Sequence, residues 1–318
     1  MRAQMLVFLF LGASLAGCLG STGSGSGSED TSDLSQPANW SVGQWWLYTF
    51  STPEWEDDSA RLVVTETDAE EGTAYMLGIT SQREARRHAV LNHNPFLGRI
   101  THDNLSAYEN GAPQSVLQFP LVKGASWSFT LFAQEWTTIV TNAMDGVATL
   151  EASTTDGQSL DYVYSGSMGF FSDLVWTSSE NQVLLQMTAV TTGLDYKGNV
   201  WFVQAGDIFS KEWDNNGGPD AEIEDSFFVS GHPSAGDYDE MIYWLDAAMG
   251  TGSTGSLTLR DHFSTSALTR QWGSGAEENG NLGTIPYPSG EYTLTITQTG
   301  DSYIRFFVAG GITTTWTL

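Results

Sequence analysis

Five oxygen-bearing side chains fall within twelve residues of this chain: Asp214, Asn216, Asp220, Glu222 and Asp225. Closely spaced oxygen ligands are what calcium takes, so this stretch is a candidate calcium loop. It lacks the glycine placement of an EF-hand, and Gly218-Pro219 interrupts it. A solvated linker in an acidic chain has the same composition, and that alternative stays open. Asp237, Asp239 and Glu240 form a second acidic cluster with the same two explanations. His88, His93 and His102, with Asp103 beside the last, lie within fifteen residues. Zinc uses such side chains, but these spacings fit no standard zinc pattern, and Asn92, Asn94 and Pro95 put a loop among them. His232 and His262 stand alone. Arg83, Arg86 and Arg87 are the one basic cluster, suited to an acidic partner or to pairing with the chain's own carboxylates.

Catalytic patterns are scarce. No serine sits in a Gly-x-Ser-x-Gly elbow, there is no His-Glu-x-x-His, and no glycine loop leads from a strand into a helix to cradle phosphate. Carboxylate pairs for glycoside cleavage stay open, because 38 acidic residues allow many pairings. The 12 Trp side chains either line a sugar-binding face or fill cores. A binding or scaffolding protein is therefore expected first, with an extracellular carbohydrate-active hydrolase as the alternative. The hydrolase requires a cleft where two carboxylates converge beside exposed Trp. The binder requires buried aromatics and scattered acids.

The chain's single cysteine is Cys18. Before it come Arg2 and an apolar run from Met5 to Leu15, too short to span a bilayer, which needs about 20 apolar residues. A positive start, an apolar middle and small residues at a break form a secretory signal. Leu15-Ala16-Gly17-Cys18 resembles the lipobox of bacterial and archaeal lipoproteins. The resemblance implies a diacylglyceryl group on the Cys18 sulfur, cleavage before Cys18, and a protein held by lipid on the outer face of the cytoplasmic membrane or at the cell surface. Residues 19–37, rich in Gly, Ser and acids, read as a flexible leash.

Net charge is −26, and Lys occurs only at 123, 197 and 211. Such a field opposes binding to nucleic acid or to anionic lipid. The composition resembles that of salt-adapted organisms, archaea especially, and equally suits any acidic extracellular protein. With the one thiol acylated no disulfide forms, so stability rests on apolar burial, with calcium as the one cofactor considered. Asn39-Trp40-Ser41 and Asn104-Leu105-Ser106 are glycosylation triplets. The partners expected are the membrane through Cys18 and an envelope protein or glycan, and not nucleic acid.

The elements that position these groups are strands. Trp46, Tyr48 and Phe50 alternate on one face, as do Tyr292, Leu294 and Ile296. A hairpin is expected around Asp68–Gly72, and turn signals such as Asp145-Gly146 and Asp156-Gly157 separate further strands. Gly43-x-x-Trp46 and Gly124-x-x-Trp127 share a turn-into-strand pattern, with Trp one residue away from a further aromatic in each segment. Ser81–His93 reads as a helix or a polar strand. Phe119–Phe129 is similar to a phrase in exported proteins with large curved antiparallel sheets. Pro288–Ile296 resembles the small jelly-roll or immunoglobulin-like sandwiches of exported proteins. The expected organisation is all-β: a signal with lipobox at 1–18, a linker at 19–37, a larger curved antiparallel sheet or partial barrel at 38–213, a linker at 214–221 and a β-sandwich at 222–318. An incomplete barrel can enclose an apolar ligand, so carriage of a hydrophobic ligand is one refinement.

Overall fold

The computed structural model describes residues 34–91, 94, 96–232, 236–286 and 289–318, and these form one compact unit. Cys18, most of the leash and His93 lie outside the described residues. The first strands are β1 (Trp45–Ser51), β2 (Asp58–Asp68) and β3 (Ala74–Ile79), with one helical turn, α1 (Ala69–Gly72), between the last two. Helix α2 (Gln82–Leu91) follows, then three short strands, β4 (Gly98–Thr101), β5 (Ala107–Glu109) and β6 (Ala112–Gln114). A meander comes next: β7 (Ser126–Leu131), β8 (Gln134–Met144), β9 (Val147–Ser153), β10 (Ser159–Ser165), β11 (Phe170–Thr177) and β12 (Val183–Gly193). The last strands are β13 (Asn199–Asp214), β14 (Ala221–Val229), β15 (Glu240–Met249), β16 (Thr254–Arg260), β17 (Ser266–Trp272), β18 (Glu277–Pro286), β19 (Gly290–Thr299) and β20 (Ser302–Thr317).

The protein is all-β, as the alternation and turn signals require. A 16-stranded antiparallel sheet runs β18-β15-β20-β13-β3-β2-β1-β12-β11-β10-β9-β8-β7, with β4, β5 and β6 branching from β3. Its path ends on β18 and β7, so it is open and not a closed barrel. Bulges bend it, for example at Leu47/Tyr48, Val140/Asn142 and Val163/Tyr164. A second sheet, β14-β19-β16-β17, has four strands. Among the described residues no helix is long and apolar enough to cross a membrane.

Two cores follow from the alternation. Trp46, Tyr48 and Phe50 are fully buried with Tyr162, Phe170 and Leu174 on the inner face of the large sheet. Tyr292, Leu294 and Ile296 are buried in the other core, which the small sheet makes against Tyr243, Leu245 and Phe306 of β15 and β20. That is a sandwich. Its second layer includes β13, which precedes the segment 214–221. This segment is the connection between β13 and β14, and the large sheet continues through β20, which pairs with β13 on one side and β15 on the other. β15 is covered on both faces: Met241, Tyr243 and Leu245 enter the sandwich core while Ile242 and Trp244 enter the other. Its unbroken apolar run Met241–Leu245 is the signature of a strand with no solvent face.

β3 is where the large sheet forks. Ala74–Leu77 pair with β4, while Ile79 pairs with Trp201 of β13. Gly78 makes the fork possible, because a Cβ there would stand 2.6 Å from Val200 Cγ1 and 2.9 Å from the Trp201 carbonyl oxygen.

The two turn-into-strand segments are the same device. Gly43 and Gly124 take φ of +83° and +88°. The Gly43 amide donates to the Val64 carbonyl and the Gly124 amide to the Val140 carbonyl. Val64 and Val140 return bonds to the carbonyls of Gln44 and Ala125. Only glycine enters this left-handed turn without strain.

Candidate functional site: a cleft beside helix α2

Within Ser81–His93, residues 82–91 form a helix and not a polar strand. Ser81 accepts the Glu84 amide at 3.2 Å through its hydroxyl, and Ser81-x-x-Glu84 is a capping-box spacing. Ala85 and Val90 bury the inner face. The three arginines are all engaged by the chain's own carboxylates. Arg83 pairs with Asp58, Arg86 with Glu240 at 2.8 Å, and Arg87 with Glu84 at 2.6 Å and Asp58 at 3.4 Å. The Arg87 guanidinium also lies 5.0 Å over the Trp55 ring.

Glu84 has no exposed surface and His88 is 4 % exposed. Burial pushes the Glu84 carboxyl above its ordinary value, against the pull of Arg87. Asp58 goes the other way: partial burial would raise it, but the Ser59 amide and Arg83 outweigh burial and hold it below the ordinary value. The His88 ring packs edge-on against Phe50 at 4.9 Å.

His88 also lines a cleft of about 1060 Å³. α2 gives one wall through Ala85, His88 and Ala89; β4 and β5 give a second through Arg99, Tyr108 and Glu109; β13 gives a third through Phe202, Gln204 and Asp207. Gly98, at φ +108°, lets the Phe202 ring approach to 3.1 Å of where a Cβ would stand. Arg99 pairs with Glu70 and lies 4.4 Å over the Tyr108 ring. Phe132, also at the cleft, stacks on Trp176 with ring centroids 3.8 Å apart.

Two polar atoms of the cleft residues are left over. Asn94 is 5 % exposed; its Oδ1 accepts the Phe96 amide at 3.0 Å, while Nδ2 is buried without a partner among the described residues. Glu109 Oε1 accepts the Ala133 amide at 3.0 Å, while Oε2 is buried without a partner. A buried polar atom without a partner costs about 1–3 kcal/mol, so a bound group that satisfies both atoms recovers that cost. Asp207 remains open to the cleft, and the surrounding protein pushes its carboxyl upward. The arrangement is a surface of mixed polarity, in which polar side chains such as Arg99, Gln204 and Asp207 alternate with apolar ones such as Ala89 and Phe202.

The other sequence candidates are placed elsewhere. Among the described residues no three His, Cys, Asp or Glu side chains gather as a metal site. In the acidic stretch, Asp214 Oδ1 accepts the Asn216 amide at 3.1 Å, and Asp225 is paired with Lys211 at 2.6 Å and held below its ordinary value by that hydrogen bond. Glu222 and Asp225 lie along β14 and Asp220 precedes it, so these groups are spread along a turn and a strand. Asp239 Oδ2 accepts the Thr313 amide at 2.8 Å. His102 packs on Tyr75 at 4.2 Å, outside the cleft. Asn39 is exposed, whereas Asn104 is half-buried and accepts the Phe119 amide at 3.2 Å. None of the 12 Trp is exposed; Trp40, Trp46, Trp55, Trp136, Trp213, Trp244 and Trp272 are buried.

Sequence reading missed Asn94, Arg99, Tyr108, Glu109 and Asp207 as a set. One local signal was available: Asn110-Gly111 is a hairpin turn, which places Tyr108 and Glu109 at a tip. No family model matches the chain, and no curated protein matches it. Solved structures with partial likeness include the enzymatically active domain of tailspike protein 4 from bacteriophage CBA120, at 9% identity and TM-score 0.21 over 35% of this chain and 19% of that one. Another is an exo-beta-1,3-galactanase from Phanerochaete chrysosporium, at 7% identity and TM-score 0.19 over 79% of this chain and 65% of that one. A third is infectious bursal disease virus, Gx strain, at 12% identity and TM-score 0.17 over 89% and 70%. The chain thus spans less than two thirds of the first two.

Proposed function

We propose that this chain is a lipid-anchored binding protein of the outer cell surface, whose cleft beside α2 takes a small ligand with both apolar and hydrogen-bonding faces. The anchor rests on the Leu15-Ala16-Gly17-Cys18 lipobox, and the leash after it reaches a folded body at Leu34. The binding role rests on the cleft, above all on Asn94 Nδ2 and Glu109 Oε2, both buried and both lacking a partner among the described residues. Mixed polarity narrows the hydrophobic-carrier refinement to an amphipathic ligand. The test is recovery of the mature protein from its native envelope, followed by mass spectrometry of what dissociates on denaturation. A discrete small molecule, absent when Ala205→Trp fills the cleft, supports the reading. Equal recovery from both proteins, or nothing from either, sinks it. Acylation of Cys18 is read in the same spectra.

The alternative, a carbohydrate-active hydrolase, is favoured by one observation: Glu109 and Asp207 both line the cleft. Against it stands the burial of the Trp side chains. Release of reducing sugar from envelope glycan, abolished by Glu109→Gln, would reverse the order.

A further inference from the structure

The strands β1 and β7–β12 place their connections at two opposite ends. One end collects Ser41–Gln44 before β1, Val122–Ala125 before β7, the β8–β9 turn at Asp145-Gly146, the β10–β11 turn at 166–169, and Leu194–Gly198 after β12. The other end collects the turns at 52–57, 132–133, 154–158 and 178–182.

The ends differ in chemistry. Ten large hydrophobic side chains are conspicuously exposed among the described residues, and five of them lie in or beside the connections of the first end: Val42, Val122, Met144, Val147 and Leu194. Met144 and Leu194 are 63% and 64% exposed, well beyond ordinary rim exposure. Lys123 and Lys197, two of the three lysines in the chain, lie in the same loops. The charges in these connections are Lys123, Lys197, Asp145 and Asp195, which cancel in a protein of net charge −26. The turns of the other end carry Glu54, Glu56, Asp57, Asp156 and Glu180 and no cation. On its β2 side the first end is bounded by the acids of the β2–β3 turn, of which Glu70 is neutralised by Arg99.

The chain arrives at the first end. Leu34 accepts the Leu121 amide at 2.8 Å through its carbonyl, one residue from Val122. Cys18 stands sixteen residues earlier, a contour of at most about 55 Å. A short tether joined to an acidic body would ordinarily hold that body off a lipid surface by repulsion. Here the tether joins it at the end whose strand connections carry as many cations as acids and most of the exposed aliphatic side chains. Small aliphatic groups beside lysines suit the headgroup boundary, where apolar tips enter and the lysine stems extend to phosphate.

We infer that this end rests on the lipid bilayer, with Val122, Met144 and Leu194 entering the headgroup region and the opposite acidic end facing outward. The inference rests on the anchored reading above, but its surface can be tested without it. Cys18 is the sole thiol, so the mature chain can be coupled through it to a maleimide lipid in phosphatidylcholine vesicles, whatever cells attach there. Amide hydrogen exchange then compares this form with the chain coupled to a soluble polymer. Exchange about tenfold slower at 122–125, 144–147 and 194–198 on vesicles, with 154–158 and 178–182 unchanged, is the expected result. Val122→Ser, Met144→Ser and Leu194→Ser together should abolish the slowing without altering the fold, since all three side chains are exposed. Equal exchange in both forms, slowing at the acidic end, or slowing that survives the triple substitution overturns the inference. Absence of native acyl groups on Cys18 would sink the anchored reading separately and leave this surface to be judged by the vesicle data.

Discussion

Arg86 and Glu240 are joined by two parallel hydrogen bonds, Nε to Oε1 at 2.9 Å and Nη2 to Oε2 at 2.8 Å, across 154 residues of sequence. The pair fastens α2, and with it one wall of the cleft, to β15 in the part of the sheet shared with the sandwich. Both side chains are about one-fifth exposed, at 24% and 17%. Exposed pairs contribute about 1 kcal/mol or less and breaking buried ones costs about 3–5 kcal/mol, so Arg86→Ala should cost about 2 kcal/mol. Denaturant midpoints of Arg86→Ala, Glu240→Ala and the double variant check this. The double variant should lose less than the sum of the singles.

Gly78→Ala should destabilise the protein by about 1–3 kcal/mol, because one of the atoms its Cβ would meet, the Trp201 carbonyl oxygen, is backbone and cannot rotate away. Gly273→Ala is the matched control, with nothing within 4 Å of its Cβ. Thermal unfolding of the two variants should separate them clearly, and equal midpoints would remove the steric account of the fork.

Tyr162 is 1% exposed and donates to the Val116 carbonyl at 2.8 Å. Its hydroxyl is also 3.0 Å from that of Thr138. Tyr162→Phe leaves that carbonyl dry and unpaired, so a loss of about 1–3 kcal/mol is expected by urea titration. Burial pushes the Tyr164 phenol up to about 12, so in an absorbance titration it should ionise well above the ordinary phenol value of 10.

Stability should depend on pH through Glu84. Its carboxyl titrates above the ordinary 4.5 because burial disfavours the charge. The native state therefore holds this proton more tightly than the unfolded chain, and stability falls as pH rises from the ordinary value through the raised one. Asp58 has the opposite sign: its contribution is present above the ordinary 3.8 and lost as pH falls through its lowered value. Glu84→Gln should remove the decline on the neutral side while leaving the acid-side loss in place. Unfolding free energies measured across the acid-to-neutral range test both signs, and an unchanged slope in the variant would refute the assignment to Glu84.

Much of the fold was legible because it rests on period-two alternation. Trp46, Tyr48 and Phe50 declared an inner face, and the run Met241–Leu245 matches a strand covered on both sides. The glycine before each aromatic pair marked a turn, and Gly43 and Gly124 perform the same entry. Residues 81–93 were ambiguous because Arg83, Arg86 and Arg87 fit either period; Ser81-x-x-Glu84 held the decisive cap. The sheet's passage through β13 and β20 was not legible, since a strand's partner leaves no local trace in composition. The cleft was hidden for the same reason. Asn94, Glu109 and Asp207 come from a loop, a hairpin tip and a long strand, with no shared spacing.

The position of β20 has a consequence for biogenesis. Residues 302–317 fill the slot between β13 and β15, so the two halves of the large sheet cannot zip together until the ribosome has made this stretch, about ninety residues after β13. Until then β13 and β15 present bare ladders, which are the adhesive edges of nascent β-proteins. Closure by a late strand with distant partners makes the final step slow, and a chaperone that shields those ladders has most to do just before that strand arrives.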